Sequence, residues 1–286
     1  MNLLMPASLL RSAELLADQW WPTAVEGVVQ GVVYALLAVA CTRRGRGVDL
    51  APLAGFALGL FAAYLTFLAL GFRPGPTPDV GVLPLLGFLA LGLAAAVVAA
   101  TAVPAATRGS FLFGLVAFAV VELGLWLLLG ADAQPPVRLF RPHELVPDVD
   151  DVQLAVVGLA IAAFAVALRR GVRPVVASGL LAGVASFLYL LKVPGSAGYL
   201  TAVLVGVYAV TAAVLGRTAK GTIAIAVVLG LVQVCFETAV GPRWWLPFSL
   251  GLLVLAIAVR RLRDRSRARK PAVPVAEDDR TAVTPG

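Results

Sequence analysis

Long apolar segments recur along this sequence and constrain its fold more than any other feature. A helix that crosses the hydrocarbon core of a bilayer needs about 20 predominantly apolar residues, and nine segments of roughly that length can be distinguished. Each is continuous and rich in Leu, Ala and Val, whereas membrane β-strands alternate apolar and polar residues over about ten positions. We therefore predict an all-α fold, a polytopic membrane helix bundle of about nine transmembrane helices. The predicted spans are 24–42, 50–71, 82–103, 111–130, 152–168, 174–192, 198–216, 221–240 and 245–260.

The overall composition agrees with a lipid environment. Hydrophobic residues make up 60% of the 286 residues, charged residues only 14%, and the mean hydropathy is +0.93. A soluble domain cannot bury so much apolar surface. The formal net charge of +7 does not indicate a nucleic-acid partner, because the arginines lie in short turns and in the tail, without a basic face that carries interleaved aromatics.

The turns between the predicted spans alternate between two kinds. One kind is basic, and the other, such as "FRPGPTPDVG" and "KVPGSAG", is mixed or acidic. Cytoplasmic loops carry the excess of Lys and Arg, so we predict an external N-terminus and a cytoplasmic C-terminus in a bacterial inner membrane. The basic turns contain Arg43, Arg44 and Arg46; Arg108; Arg169, Arg170 and Arg173; and Arg217 and Lys220, and the tail "RRLRDRSRARK" continues the series.

Three regions are predicted along the chain. Residues 1–21 form an N-terminal interfacial segment, with Trp20 and Trp21 at the level of the headgroups. Residues 22–260 form the transmembrane domain, and residues 261–286 form a cytoplasmic tail that is first basic and then disordered. The basic part of the tail either lies on anionic membrane lipid or is a plain stop-transfer anchor.

Polar residues within the apolar spans are the candidates for function. Glu122 is the most pronounced of them, because a carboxyl group in mid-span is costly and usually faces a cavity or a partner. It indicates either a point on a solute path or a hydrogen bond between helices. Asp49, Glu26 and Glu237 lie near span ends, where water or headgroups reach them. Two further polar residues, Gln30 and Gln233, are expected to form hydrogen bonds between helices.

The sequence contains no motif that indicates metal binding, histidine-based catalysis or ATP binding. The chain contains one histidine, no CxxC pair and no GxxxxGK[ST] loop. We therefore expect no enzyme activity, no cofactor and no metal, and we expect any energy source to lie on another chain.

Small residues recur at a spacing that favours close helix packing. Three GxxxG pairs occur within the predicted spans, and such pairs let helix backbones approach closely. The six glycines are Gly27, Gly31, Gly55, Gly59, Gly179 and Gly183.

Four stretches, in order, resemble the permease subunits of branched-chain amino acid ABC transporters. The first is "GVVQGVVYALLAVACTRRGRGVDLAPLAGFALGLFAAYL", which is similar to the glycine-rich opening helix and the following helix of that family. The others are "VVELGLWLLLGAD", "ASGLLAGVASFLYLLKVPGSAGY" and "AAVLGRTAKGTIAIAVVLGLVQ". The resemblance covers most of residues 25–260.

The resemblance implies alternating access driven by separate ATPase subunits, with branched-chain amino acids or related small polar solutes as substrates. The implied partners are a second permease subunit, ATP-binding subunits and an extracytoplasmic solute-binding protein. We assign the solute path to Glu122, Asp49, Tyr34 and Gln30, and the ATPase-facing loop to Arg169, Arg170 and Arg173.

Two departures from the family leave alternatives open. The polar "QGE" of the family is replaced by Pro52, Leu53 and Ala54, and its long cytoplasmic coupling loop is reduced to "RRGVRP". A docking helix of two turns needs about seven residues, so it does not fit in this loop. One alternative is a non-transporting pseudo-permease that stabilises or regulates a partner permease, and another is a small carrier whose likeness to permeases is compositional.

Overall fold

A computed structural model describes residues 18–43, 47–72, 82–107, 111–129, 144–146, 149–169, 171–192, 199–216, 218–240 and 244–268. Nine α-helices and one short antiparallel hairpin lie within these residues. The helices are α1 (Trp20–Thr42), α2 (Ala51–Ala69), α3 (Val82–Ala106), α4 (Phe111–Leu129), α5 (Asp151–Ala167), α6 (Pro174–Lys192), α7 (Tyr199–Leu215), α8 (Ala219–Val240) and α9 (Trp245–Ala268). The hairpin pairs β1 (Glu144–Val146) with β2 (Val149–Asp150).

The helix boundaries follow the predicted apolar segments closely. Five helices (α1, α2, α3, α6 and α8) are long and apolar enough to cross a membrane, which confirms a multi-pass helical membrane protein. Apolar segments of α4, α5 and α7 are shorter than these spans, and α9 is not among the five. The crossing of the membrane by these four helices therefore stays a prediction. Two features were not predicted: the hairpin before α5, and the continuation of α9 through the basic segment to Ala268.

The start of α5 is fixed by side chains in its first turn. The Asp150 carboxylate accepts a hydrogen bond from the Gln153 amide at 2.7 Å, and the Gln153 side chain accepts one from the Asp150 amide at 3.2 Å. This capping box satisfies two backbone donors that a helix start otherwise leaves free.

Burial separates central helices from peripheral ones. Buried residues make up 72% of the most apolar segment of α1 and of α6, but only 17% of that of α3. The outer helices expose large apolar side chains such as Leu83, Val98 and Leu112, which are 82%, 72% and 67% exposed. Such surfaces are stable where lipid is the solvent, so α1, α2 and α6 form the centre of a bundle whose periphery faces the bilayer.

The helix contacts occur in matched pairs. Helix α1 packs on α8 as α6 packs on α3, and α1 packs on α7 as α6 packs on α2. In the same way α2 contacts α3 and α4, and α7 contacts α8 and α9. Helices α1–α4, the first set, therefore correspond to α6–α9, the second set, with α5 as the connection. If every helix crosses the membrane, equivalent helices are five crossings apart and run in opposite directions, which is the arrangement of an inverted repeat.

Glycines on α1 allow a close contact with α8. A Cβ atom added to Gly27 would lie 2.7 Å from the Cα atom of Leu231, and one added to Gly31 would lie 2.5 Å from that of Val227. Both distances are far below van der Waals contact, so only glycine permits α1 and α8 to approach this closely.

The equivalent crossing of α6 and α3 also depends on two glycines. A Cβ atom on Gly179 would lie 2.7 Å from the Cα atom of Thr101, and one on Gly183 would lie 2.5 Å from that of Val97. In both crossings the glycines are four residues apart and meet residues that are four apart on the antiparallel partner. The two helix sets are therefore similar in local packing as well as in helix order.

The remaining glycine pair lies on α2 and faces α3. A Cβ atom on Gly59 would lie 2.9 Å from the carbonyl oxygen of Ala96, and Gly55 lies against the carbonyl of Ala100 in the same way. All six glycines singled out in the sequence thus lie at contacts between helices.

Candidate functional site

A row of polar side chains lies on one face of α1. Glu26, Gln30 and Tyr34 are spaced four residues apart, so a helix places them one above another. Gln233 and Glu237 have the same spacing on α8, and α8 is the helix that the α1 glycines bring closest.

The outer part of this row binds the last residue of α6. The Lys192 ammonium forms an ion pair with the Glu26 carboxylate at 2.8 Å and donates a hydrogen bond to the side-chain oxygen of Gln30. The Gln30 amide nitrogen in turn donates to the Tyr34 hydroxyl at 2.8 Å.

The inner part of the row connects α1 to α8. The Tyr34 hydroxyl donates a hydrogen bond to the Gln233 side-chain oxygen, and the Gln233 nitrogen donates to the Glu237 carboxylate at 2.8 Å. We call the six linked residues the polar network: Glu26, Gln30, Tyr34, Lys192, Gln233 and Glu237. It crosses between the helix sets, because α1 belongs to the first set and α6 and α8 belong to the second.

Burial changes along the network. The Glu26 side chain is 43% exposed, whereas that of Lys192 is 7% exposed and Tyr34 is fully buried. Glu26 lies in the second turn of α1, Lys192 ends α6 and Glu237 lies in the last turn of α8. Charge is least costly near helix ends, and the neutral groups lie deeper. Amides and a hydroxyl can occupy the interior because each of them is hydrogen-bonded.

Two stacked tyrosines close the deep end of the network. The ring of Tyr34 lies 5.0 Å from that of Tyr208 on α7, with 7° between their planes. Both residues are fully buried. A related aromatic contact joins Phe56 on α2 to Tyr189 on α6, with ring centres 6.0 Å apart. Each helix set therefore offers an aromatic ring to the other at the centre of the bundle.

Asp49 lies at the opposite end of α1 from Glu26. Its amide donates to the carbonyl of Cys41 at 2.8 Å, and its carboxylate accepts a hydrogen bond from the Ala51 amide at 3.0 Å. Cys41 is seven residues beyond Tyr34, or about 10 Å along the helix. Asp49 therefore organises the turn before α2 and is separated from the polar network.

Glu122 also lies outside the polar network. It is half-buried on α4, a helix that packs mainly on α2. Both of its carboxylate oxygens are buried, and neither has a hydrogen-bond partner among the described residues. One of the two interpretations of Glu122 was a hydrogen bond between helices. No such bond forms in the described part of the chain.

The structure brings together two of the four predicted path residues, Gln30 and Tyr34, and separates Asp49 and Glu122 from them. It adds Lys192, which the sequence analysis placed at the edge of a turn. The spacing of four residues on α1 and on α8 is the sequence signal that could have identified the network.

The basic ends of the helices form a second region. The Arg43 guanidinium donates a hydrogen bond to the carbonyl of Ala167 at 2.6 Å, which joins the end of α1 to the end of α5. The turn from α5 to α6 follows at once, with Gly171 in the left-handed region at φ 96°. Arg169 and Arg173 are exposed in this turn, and Arg170 lies outside the described residues. No docking helix forms in the described part of the turn.

Residues predicted for the same side of the membrane lie at the same end of the bundle. Glu26 and Lys192, both predicted to be external, form an ion pair, and Arg43 contacts Ala167 at the predicted cytoplasmic end. The side of the membrane on which each end lies stays a prediction.

Fold and site together define a multi-pass helical membrane protein with a buried polar network. Neither a protein-family model, nor a curated protein, nor a solved structure matches this chain. Its function must therefore be inferred from its own geometry.

Proposed function

We propose that the protein is a membrane transport protein that moves a small polar solute by alternating access between its two helix sets. The observation that carries this proposal is the polar network, which crosses from α1 to α6 and α8 inside the bundle. Ionisable residues buried in membrane helices commonly mark solute or ion pathways. In transporters built from inverted repeats, the binding sites lie where the repeats meet.

The charges of the network favour a zwitterionic solute. The Lys192 ammonium can bind a carboxylate, and the carboxylates of Glu26 and Glu237 can bind an ammonium group. Gln30 and Gln233 offer both donors and acceptors to amide groups. This set suits amino acids and small amides, the class that the permease resemblance also implies.

A transport cycle follows from these contacts. An entering solute carboxylate replaces Glu26 on Lys192, and the solute ammonium binds the Glu26 carboxylate that is released. Rotation of one helix set against the other then breaks the Tyr34–Gln233 hydrogen bond and the Tyr34–Tyr208 stack. These two contacts join the helix sets at the deep end of the network, so their loss opens the way to the other side.

The finer form of the proposal is a permease subunit of a branched-chain amino acid-type ABC transporter. Separate ATP-binding subunits would then supply the energy, and a second permease subunit and an external solute-binding protein would complete the assembly. The order of the four resembling stretches supports this form.

A second candidate function is a pseudo-permease that stabilises or regulates a partner permease without transporting solute. The short turn between α5 and α6 favours it, because Gly171 reverses the chain where a docking helix would be needed. Affinity purification from the native membrane distinguishes the two forms. A stoichiometric ATP-binding subunit supports the permease, and a permease partner without an ATPase contact supports the pseudo-permease.

The transport proposal is tested by uptake into proteoliposomes that contain the purified chain with its co-purified partners. Labelled leucine, valine and a small amide serve as solutes, with and without ATP. We expect Lys192→Met to reduce uptake at least tenfold, because it removes the cation that binds the solute carboxylate. Lys220→Met is the matched control, since Lys220 is exposed at the start of α8 and outside the network. Equal uptake by the two variants, or no uptake of any solute, would contradict the proposal.

A further inference from the structure

A large cavity lies at the end of the bundle opposite to the charged part of the polar network. It measures about 690 Å³, is open on one side and is lined by α2 with the turn before it, α4, α7 and α9. Its walls are largely apolar and include Leu53, Phe118, Val207 and Leu253. Cavities that hold small molecules typically measure about 300–1,000 Å³, so this one has room for a ligand.

The cavity is bordered by surfaces that face lipid. Its lining includes α4 and α9, which expose Leu112, Val116, Val254 and Leu255 on their outer sides. These two helices each pack on an inner helix, α2 or α7, and make at most marginal contact with each other in the described residues. The occupant can therefore enter sideways from the bilayer.

Charge is concentrated at the mouth. Arg260 and Arg261 line the cavity, are exposed, and follow directly after the apolar part of α9. Neither arginine forms an ion pair within the described residues. The one acidic residue of the lining, Asp49, is engaged with the Ala51 amide in its own turn. The mouth thus offers two exposed guanidinium groups next to the apolar part of α9.

We propose that this cavity binds one anionic phospholipid, with its acyl chain against the apolar walls and its phosphate at Arg260 and Arg261. Basic residues between transmembrane helices on the cytoplasmic side are suited to such headgroups, and a guanidinium pairs well with phosphate oxygens. A small polar solute would find few hydrogen-bond partners along the apolar walls. A zwitterionic lipid would bring a cation of its own beside the two guanidinium groups, which a lipid with a net negative charge does not.

Native mass spectrometry of the detergent-purified full chain tests the proposal, with phosphatidylglycerol and phosphatidylcholine offered in equal amounts. We expect one phosphatidylglycerol to be retained in preference. The double substitution Arg260→Gln/Arg261→Gln should weaken that retention about 30-fold, since each basic residue near an anionic headgroup contributes about a factor of five. Arg263→Gln/Arg265→Gln is the matched control, because it removes the same charge from the same helix outside the cavity lining.

A second variant tests the apolar part of the site. Leu253→Trp places a larger side chain in the cavity and leaves both arginines in place, so we expect it to abolish retention of the lipid. The proposal is overturned if phosphatidylcholine is retained equally well, if the two double variants weaken retention equally, or if Leu253→Trp has no effect on a folded protein.

Discussion

Tyr34 connects the two halves of the polar network through a single hydroxyl group. That group accepts a hydrogen bond from Gln30 and donates one to Gln233, while the ring stacks on Tyr208. The hydrogen bond to Gln233 and the stack on Tyr208 both join α1 to helices of the second set. Tyr34 therefore opposes a rotation of one helix set against the other.

We expect Tyr34→Phe to lower the free energy of unfolding by about 1–3 kcal/mol, because two buried amides lose a partner. The ring is kept, so the stack on Tyr208 survives and the hydroxyl alone is tested. The measurement is unfolding in mixed micelles by titration with a denaturing detergent, followed by circular dichroism. Thr66→Val is the control, since the Thr66 hydroxyl bonds to the carbonyl of Ala62 in its own helix. A loss no larger than that of the control would show that the hydroxyl contributes nothing.

At the scale of the helices, glycine contacts decide which elements meet. Gly31 on α1 and Gly183 on α6 occupy equivalent places in the two close crossings. A side chain at either position would collide with backbone and not with the flexible end of a neighbour, so the helices would have to separate.

We therefore expect Gly31→Leu and Gly183→Leu each to destabilise the fold by about 1–3 kcal/mol, the usual cost of overpacking. Gly87→Leu on α3 serves as the control, because a Cβ atom at Gly87 meets nothing within 4 Å. Thermal denaturation in detergent provides the comparison. The packing argument fails if the control is as unstable as the two crossing variants.

The helices themselves were largely predictable from the sequence, and their partners were not. An apolar run between polar turns fixes where a helix begins and ends, as the agreement over 174–192 illustrates. A GxxxG pair indicates a close contact between helices but does not identify which helix packs against it. The correspondence between the two helix sets was missed for that reason, since it is visible in the contacts and not in the residues.

The site was predictable in part for a similar physical reason. Polarity in or beside an apolar run identified Gln30, and the permease resemblance added Tyr34. Polarity identified Asp49 and Glu122 equally well, because one sequence does not show which way a side chain faces. Lys192 lies where the predicted span 174–192 meets the following turn. Its apolar stem and terminal charge suit a helix end whether the side chain points to water or into the bundle.

At the scale of the whole molecule, the two helix sets are predicted to cross the membrane in opposite directions. Gln19 precedes α1 and Arg173 precedes α6, and both are exposed at equivalent helix starts. In a variant without Cys41 and Cys235, we expect Gln19→Cys to react with a membrane-impermeant maleimide in intact cells. We expect Arg173→Cys to react only after the cells are permeabilised. Labelling of both positions from the same side would rule out the inverted arrangement.

The hydrogen bonds of the polar network have a direction, which is set by its two ends. Lysine can only donate and a carboxylate can only accept, so each group from Lys192 through Gln30, Tyr34 and Gln233 to Glu237 donates to the next. Reversal of one amide would set donor against donor on one side and acceptor against acceptor on the other. The interior groups therefore respond as a unit to events at either end. A solute that takes Lys192 from the chain removes one of the two ends that set this direction and leaves Glu237 to hold it alone.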